Sequence, residues 1–282
     1  MATVTTTAFE LSGADGRPLR GDVRTAETGR DRPAVIICHG FKGFKDWGFF
    51  PHVALRLARA GMTAVSFNFS GSGIGPDGQT FSEPDRFGHT TFSNDLHDID
   101  TVMAQCRAGD LVDGLARPTR TGLLGHSRGG GTSTLYSAEH HEVSALVTWA
   151  AISTVHRWEE DVVERWRRDG KTDIVNSRTG EVLPMYLDML HDMEQNAGRL
   201  DIEAAASTVR CPWLIVHGDA DETVDVAEGR RLYAAADPNV SSIEIVEAGS
   251  HTFGAQHPWA GSTKELDRAM DVTVEWFVSQ LL

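Results

Sequence analysis

Cysteine is scarce in this chain: Cys38, Cys106 and Cys211 are the three in 282 residues. An odd number cannot close a disulfide framework, and two of the three sit in or beside apolar strand-like runs, where a free cysteine behaves as a small buried hydrophobe. A reducing compartment is the expectation. Long apolar runs are missing too, so no segment is long enough to cross a bilayer. The opening residues Met1-Ala2-Thr3-Val4-Thr5-Thr6-Thr7 lack a basic start followed by an apolar stretch. The reading is a cytoplasmic location with no membrane partner. Basic charge is the third shortage, with 26 Lys and Arg against 40 Asp and Glu and a net charge of −14. The cations do not cluster, which excludes a nucleic-acid surface and leaves solubility as the consequence of the charge.

Several familiar motifs are incomplete. Ser70-Gly71-Ser72-Gly73-Ile74-Gly75 follows a strand-like run but does not fit the dinucleotide fingerprint and opens no helix. Gly73 to Thr80 nearly spells a phosphate loop, yet Gln79 stands at the lysine position and Pro76 interrupts it. His141-Glu142-Val143-Ser144-Ala145 begins like a zinc-protease helix and lacks the second histidine. Neither a metal nor a cofactor is expected. Internal repeats and low-complexity tracts are likewise missing.

What is present is 40% hydrophobic residues arranged as short apolar strands alternating with helical stretches. This is the pattern of an α/β fold, a mostly parallel sheet covered on both faces. The predicted strands are 34–38, 63–69, 121–125, 145–149, 213–216 and 243–246. The helices between them are 50–60, 93–106 with a Ser or Asn cap, 130–140, 226–235 and 264–281. Ahead of these, residues 8–23 read as an antiparallel hairpin turning at Gly13-Ala14-Asp15-Gly16.

Between Ser153 and about Ser207 the alternation breaks. The predicted organisation is therefore a core of residues 1–153 and 208–282 with an inserted cap of 154–207. Within the cap, 155–168 reads as a polar helix carrying Trp158 and Trp166. Residues 172–183 read as a hairpin turning at Arg178-Thr179-Gly180, and 184–194 as a second helix opening with Pro184. Trp158, Trp166, Met185, Tyr186 and Met189 are candidates either to line a substrate pocket or to form the cap's own core. Trp158, Tyr186 and Met189 are the named substrate-binding candidates.

The chemistry centres on Gly125-His126-Ser127-Arg128-Gly129, a serine between glycines where a strand gives way to a helix. Such a turn holds the serine in a strained conformation with Oγ in a cleft, the arrangement of a nucleophile elbow. Serine is a weak nucleophile at neutral pH and needs a base, and the base needs a carboxylate. Both types follow in order at strand ends: His217-Gly218-Asp219-Ala220-Asp221 with Asp225 nearby, then Ser250-His251-Thr252-Phe253. Asp219, Asp221 and Asp225 all compete for the acid's place. His39-Gly40-Phe41-Lys42-Gly43, after the first long apolar strand, offers the Phe41 N–H as an oxyanion donor to pair with that of Arg128. His39, His126 and His217 read as packing or hydrogen-bonding residues and His257 as a loop residue. Lys42, Lys45 and Arg128 are candidates for attracting an anionic substrate or, equally, solvated surface charges.

His39-Gly40, Gly125 to Gly130, His217 to Asp221 and Ser250 to Phe253 together resemble the α/β-hydrolase superfamily over nearly the whole chain outside the cap. Within it, the small cap and the His-Gly-Phe start resemble the cinnamoyl/feruloyl esterase and dienelactone-hydrolase-like branch. The resemblance implies an α/β-hydrolase fold with Ser127 as nucleophile, His251 as base then acid, and Asp221 as orienting carboxylate, since the family's acid usually stands three residues after the strand-end glycine. It further implies a serine hydrolase acting on small carboxylic esters through an acyl-enzyme. A peptidase or acyltransferase on the same residues, and a non-catalytic receptor using the capped cleft, are the alternatives. The sequence carries no signal for the oligomeric state.

Overall fold

A computed structural model describes residues 3–26, 32–176 and 180–282. Eight strands form one sheet: β1 (Val4–Ser12), β2 (Pro18–Ala26), β3 (Ala34–Cys38), β4 (Thr63–Asn68), β5 (Thr121–His126), β6 (Val143–Trp149), β9 (Trp213–Gly218) and β10 (Ser241–Val246). Their order is β1-β2-β4-β3-β5-β6-β9-β10. β1, β2 and β4 pair antiparallel, and every pairing from β4 to β10 is parallel. Burial on both faces explains the near-continuous apolar runs: every residue of β3, β4, β5 and β9 is buried. Each large aliphatic side chain so placed contributes about 1.5–3 kcal/mol.

The helices are α1 (Phe50–Arg59), α2 (Pro84–Gly88), α3 (Phe92–Ala108), α4 (Arg128–Glu139), α5 (Glu160–Asp169), α6 (Asp188–Gln195), α7 (Ile202–Ala206), α8 (Val226–Ala235) and α9 (Lys264–Leu281). A two-stranded antiparallel hairpin, β7 (Lys171–Val175) with β8 (Val182–Tyr186), lies between α5 and α6. No helix of the described residues is long and apolar enough to cross a membrane.

Several predicted boundaries shift, four of them for an identifiable local reason. The helix expected from 93 starts at Phe92 and is capped by Thr91, whose side chain accepts from the Asn94 N–H, and it ends at Gly109 in the left-handed region. Thr91 wins because its extended backbone lets the hydroxyl reach back over the first turn. α4 begins at Arg128 rather than Gly130, directly on the strained serine. The polar helix expected over 155–168 is Glu160–Asp169, so Trp158 stands in the loop before it. Glu159 is extended there, and Glu160 and Asp161 place their charge at the helix N-terminus. Pro184 does not open a helix: it lies in β8 opposite Asp173, where a two-stranded ribbon leaves its missing donor uncompeted for. The second helix starts four residues later, at Asp188. The turn expected at Arg178-Thr179-Gly180 lies, apart from Gly180, outside the described residues.

The stretch between β6 and β9 meets the rest of the chain through buried apolar side chains and polar contacts. Asp192 of α6 accepts from the Ser93 N–H at 3.0 Å and from the Ser93 hydroxyl, and Tyr186 donates to Asp85 at 2.9 Å. α7 packs against α4 and α8.

Candidate active site

Ser127 sits between β5 and α4 with φ 57° and ψ −120°. A non-glycine residue held there costs about 1–3 kcal/mol and persists only where its surroundings fix it. The fixing contacts are the Ser127 N–H to the Trp149 carbonyl at 2.8 Å and the close approach of α4 to the β3 end. A Cβ on Gly129 would stand 2.4 Å from the His39 carbonyl oxygen, so only glycine lets the helix start so near.

The loops bearing Asp221 and His251 meet this turn on the same rim. His251 Nε2 is 3.1 Å from Ser127 Oγ, and His251 Nδ1 is 2.8 Å from Asp221 Oδ2. Nδ1 faces a carboxylate and carries the proton, which leaves the Nε2 lone pair for the serine hydroxyl. Asp221 Oδ1 accepts from the Thr223 and Val224 N–H groups at 2.8 and 2.9 Å. Burial works to raise the Asp221 carboxyl, yet hydrogen bonds from His217, His251 and the Val224 N–H hold it well below the usual carboxylate range. The other two acids are elsewhere: Asp219 accepts from the Ala248 N–H and Asp225 caps α8.

The loop after β3 lies against Ser127. A Cβ on Gly40 would come within 2.9 Å of Ser127 Cβ, and a turn closed by Gly43 N–H to the Gly40 carbonyl presents Phe41. Among the described residues the N–H groups of Phe41 and Arg128 have no acceptor, the latter because it is the first helical residue. His39 anchors this loop, accepting from the Phe69 N–H and donating to the Gly40 carbonyl. Burial pushes its pKa down to about 4, which suits an imidazole that must accept at one nitrogen. His126 donates to the His251 carbonyl at 2.9 Å, tying the base's loop to the elbow.

Ser127 and His251 open into a cavity of about 430 Å³ whose walls include Phe41, Phe92, Ile152, Trp158 and Val224. A serine elbow, a strand order of β1-β2-β4-β3-β5-β6-β9-β10, and acid and base loops after β9 and β10 form one constellation. The family described as the alpha/beta hydrolase fold matches residues 33–172. The chain has the α/β-hydrolase fold.

Its relatives are similar along their whole length. A monoacylglycerol lipase of Mycolicibacterium smegmatis is 27% identical over 305 residues, spanning 100% of both chains. Est1E from Butyrivibrio proteoclasticus, solved with ferulic acid bound, superposes with a TM-score of 0.70 at 19% identity, covering 95% of this chain and 98% of that one. The Paleococcus ferrophilus monoacylglycerol lipase superposes with a TM-score of 0.66 at 18% identity, covering 99% of each.

In this α/β-hydrolase fold the predicted substrate-binding residues separate. Trp158 lines the cavity and also meets Trp166 edge-to-face at 5.2 Å. Met189 does not: it is 0% exposed and belongs to the hydrophobic core. Tyr186 turns instead to Asp85 and lies 4.6 Å from the His89 ring, docking the hairpin on α2. Helical spacing cannot say which face of an element meets the cleft, so it leaves pocket lining and core packing open for both.

Of the predicted cations, Lys42 and Arg128 border the cavity, while Lys45 pairs with Asp22 and Asp46 at 2.5 and 2.6 Å. The Arg128 side chain is buried, bonded to Asp95 at 2.8 Å and stacked 4.3 Å from the Phe92 ring. Burial pushes the Asp95 carboxyl up to about 7 against the pull of Arg128, and Asp98 and Asp192 add to the rise. Three features escaped the sequence reading: Asp95 behind Arg128, Arg157 held by Glu228 and the Thr223 carbonyl, and His217 beside Asp221. Only the last had a signal, the four-residue spacing from His217 to Asp221.

Proposed function

We propose that this α/β hydrolase is a cofactor-free serine esterase that cleaves small carboxylic esters with acyl or aryl acid parts, cinnamoyl-type acids among them. The observation that carries the reading is the run of contacts from Ser127 Oγ through His251 to Asp221, at 3.1 and 2.8 Å, facing an aromatic-walled cavity. In this mechanism His251 Nε2 takes the proton as Ser127 Oγ attacks the ester carbonyl. Asp221 balances the imidazolium, and the Phe41 and Arg128 N–H groups receive the oxyanion, each contributing about 2.7–4 kcal/mol in the transition state. The tetrahedral adduct collapses, the alcohol leaves with the proton from His251, and an acyl group remains on Ser127. Water, deprotonated by His251, then attacks that acyl group and releases the acid.

The ester preference is supported by the full-length similarity to a lipase and by the fold shared with Est1E, which holds ferulic acid. Phe41, Phe92 and Trp158 offer flat apolar walls of the kind an aryl acid fills. The test is fluorophosphonate labelling of wild type, Ser127→Ala and His251→Ala, followed by turnover of acyl and aryl esters, the matching amides, and esters with a competing alcohol. Labelling confined to Ser127 and dependent on His251, with ester hydrolysis dominant, is the expected result. Folded wild type that takes no label would sink the proposal and leave the fold as a receptor.

A further inference from the structure

His217, at the end of β9, is 0% exposed and cannot touch a substrate. Its Nε2 is 2.8 Å from the Val224 carbonyl and 3.5 Å from Asp221 Oδ2. Both neighbours are acceptors, so Nε2 carries the proton and points it between them. The other nitrogen, Nδ1, has no hydrogen-bond partner among the described residues. α8 seals that side, because a Cβ on Gly229 would stand 2.5 Å from Nδ1. The ring therefore has one orientation and one polar task.

That task falls on the loop bearing Asp221. The bond from His217 to the Val224 carbonyl spans the loop from strand end to far side, and Val224 and Thr223 are the residues whose N–H groups grip Asp221 Oδ1. The same N–H dipole faces Oδ2, the oxygen that His251 uses. We infer that His217 is a positioning residue for the proposed reaction, clamping the 218–224 loop so that Asp221 stays aimed at His251. The inference rests on the triad reading above. A carboxylate displaced by a fraction of an ångström leaves the imidazolium less well supported in the transition state while substrate binding is untouched.

The test compares two amides at this position. Glutamine places an N–H close to where Nε2 lies, whereas the shorter asparagine reaches only the Nδ1 position. His217→Gln is expected to keep kcat within about 3-fold of wild type, and His217→Asn to lose about 10- to 100-fold in kcat with KM within about 2-fold. Thermal unfolding of both variants separates this from a folding defect. Equal kcat for His217→Asn and wild type, or an equal loss in both variants with matched unfolding temperatures, would overturn the inference. Imidazole nitrogen NMR on the wild type is independent of any variant: His217 is expected with its proton on Nε2 alone, and a proton on Nδ1 overturns the clamp. Fluorophosphonate labelling runs alongside. An unlabelled wild type defeats the triad reading itself, whereas a labelled wild type with an unimpaired His217→Asn defeats only the role of His217.

Discussion

At the scale of single residues, the site is a set of groups whose protonation is fixed by what they face. His251 Nδ1 meets an acceptor and His251 Nε2 meets a hydroxyl, so one tautomer serves both contacts. Replacing Asp221 by Asn removes the charge and invites the wrong tautomer, and ester turnover is expected to drop about 10⁴-fold in kcat with the chain still folded. Steady-state kinetics with circular dichroism checks this. Trp158 is different in kind, because it touches the cavity and not the reacting atoms. Trp158→Ala is expected to raise KM for aryl esters about 10-fold while changing kcat for a short acyl ester by less than about 3-fold. A KM-against-kcat comparison across the two ester types decides it.

At the scale of elements, strand ends and helix starts decide where chemistry occurs. The elbow works because α4 begins within contact of the β3 end, and Gly129 is the residue that allows it. Gly129→Ala forces its Cβ against the His39 and Cys38 carbonyls, which no rotamer change relieves. A loss of about 1–3 kcal/mol in stability is expected, seen in denaturant titration, together with reduced labelling of Ser127. Docking of the inserted layer depends on fewer contacts. Asp192 holds the start of α3 and also accepts from Asn196 at 2.9 Å, so Asp192→Ala strips acceptors from two elements at once. A loss of about 1–3 kcal/mol is expected in thermal or denaturant unfolding, and a Tm equal to that of wild type would show that the layer docks without this contact.

At the scale of the whole molecule, stability couples to pH through a buried carboxyl paired with Arg128. The Asp95 pKa stands near 7 in the fold against an ordinary 3.8. Between those values the folded chain holds a proton that the unfolded chain has released, so this group makes stability fall as pH rises from about 4 to about 7. Asp95→Asn cannot titrate there. Its stability relative to wild type is therefore expected to improve across that window, by on the order of 2–4 kcal/mol, and to level above pH 7. Denaturant midpoints of the two chains between pH 4 and 8 measure the difference. The sequence alone determined the alternation of buried strands and helices, the serine between glycines at a strand end, and the order of acid and base, because each is written in local periodicity or turn chemistry. β3, α8 and α9 were legible to the residue for that reason. The choice of Asp221 over Asp219 and Asp225 needed family resemblance in the sequence and became geometric only when the loops after β9 and β10 met. The inserted layer was the least legible part. Its helices and hairpin pack by faces that only the core can select, so Trp158 reaches the cavity while Met189 is turned inward. Arg128 and Asp95, and His217 and Asp221, became partners only where separate segments were brought together by the sheet, and tertiary structure alone decides which charges share a buried place.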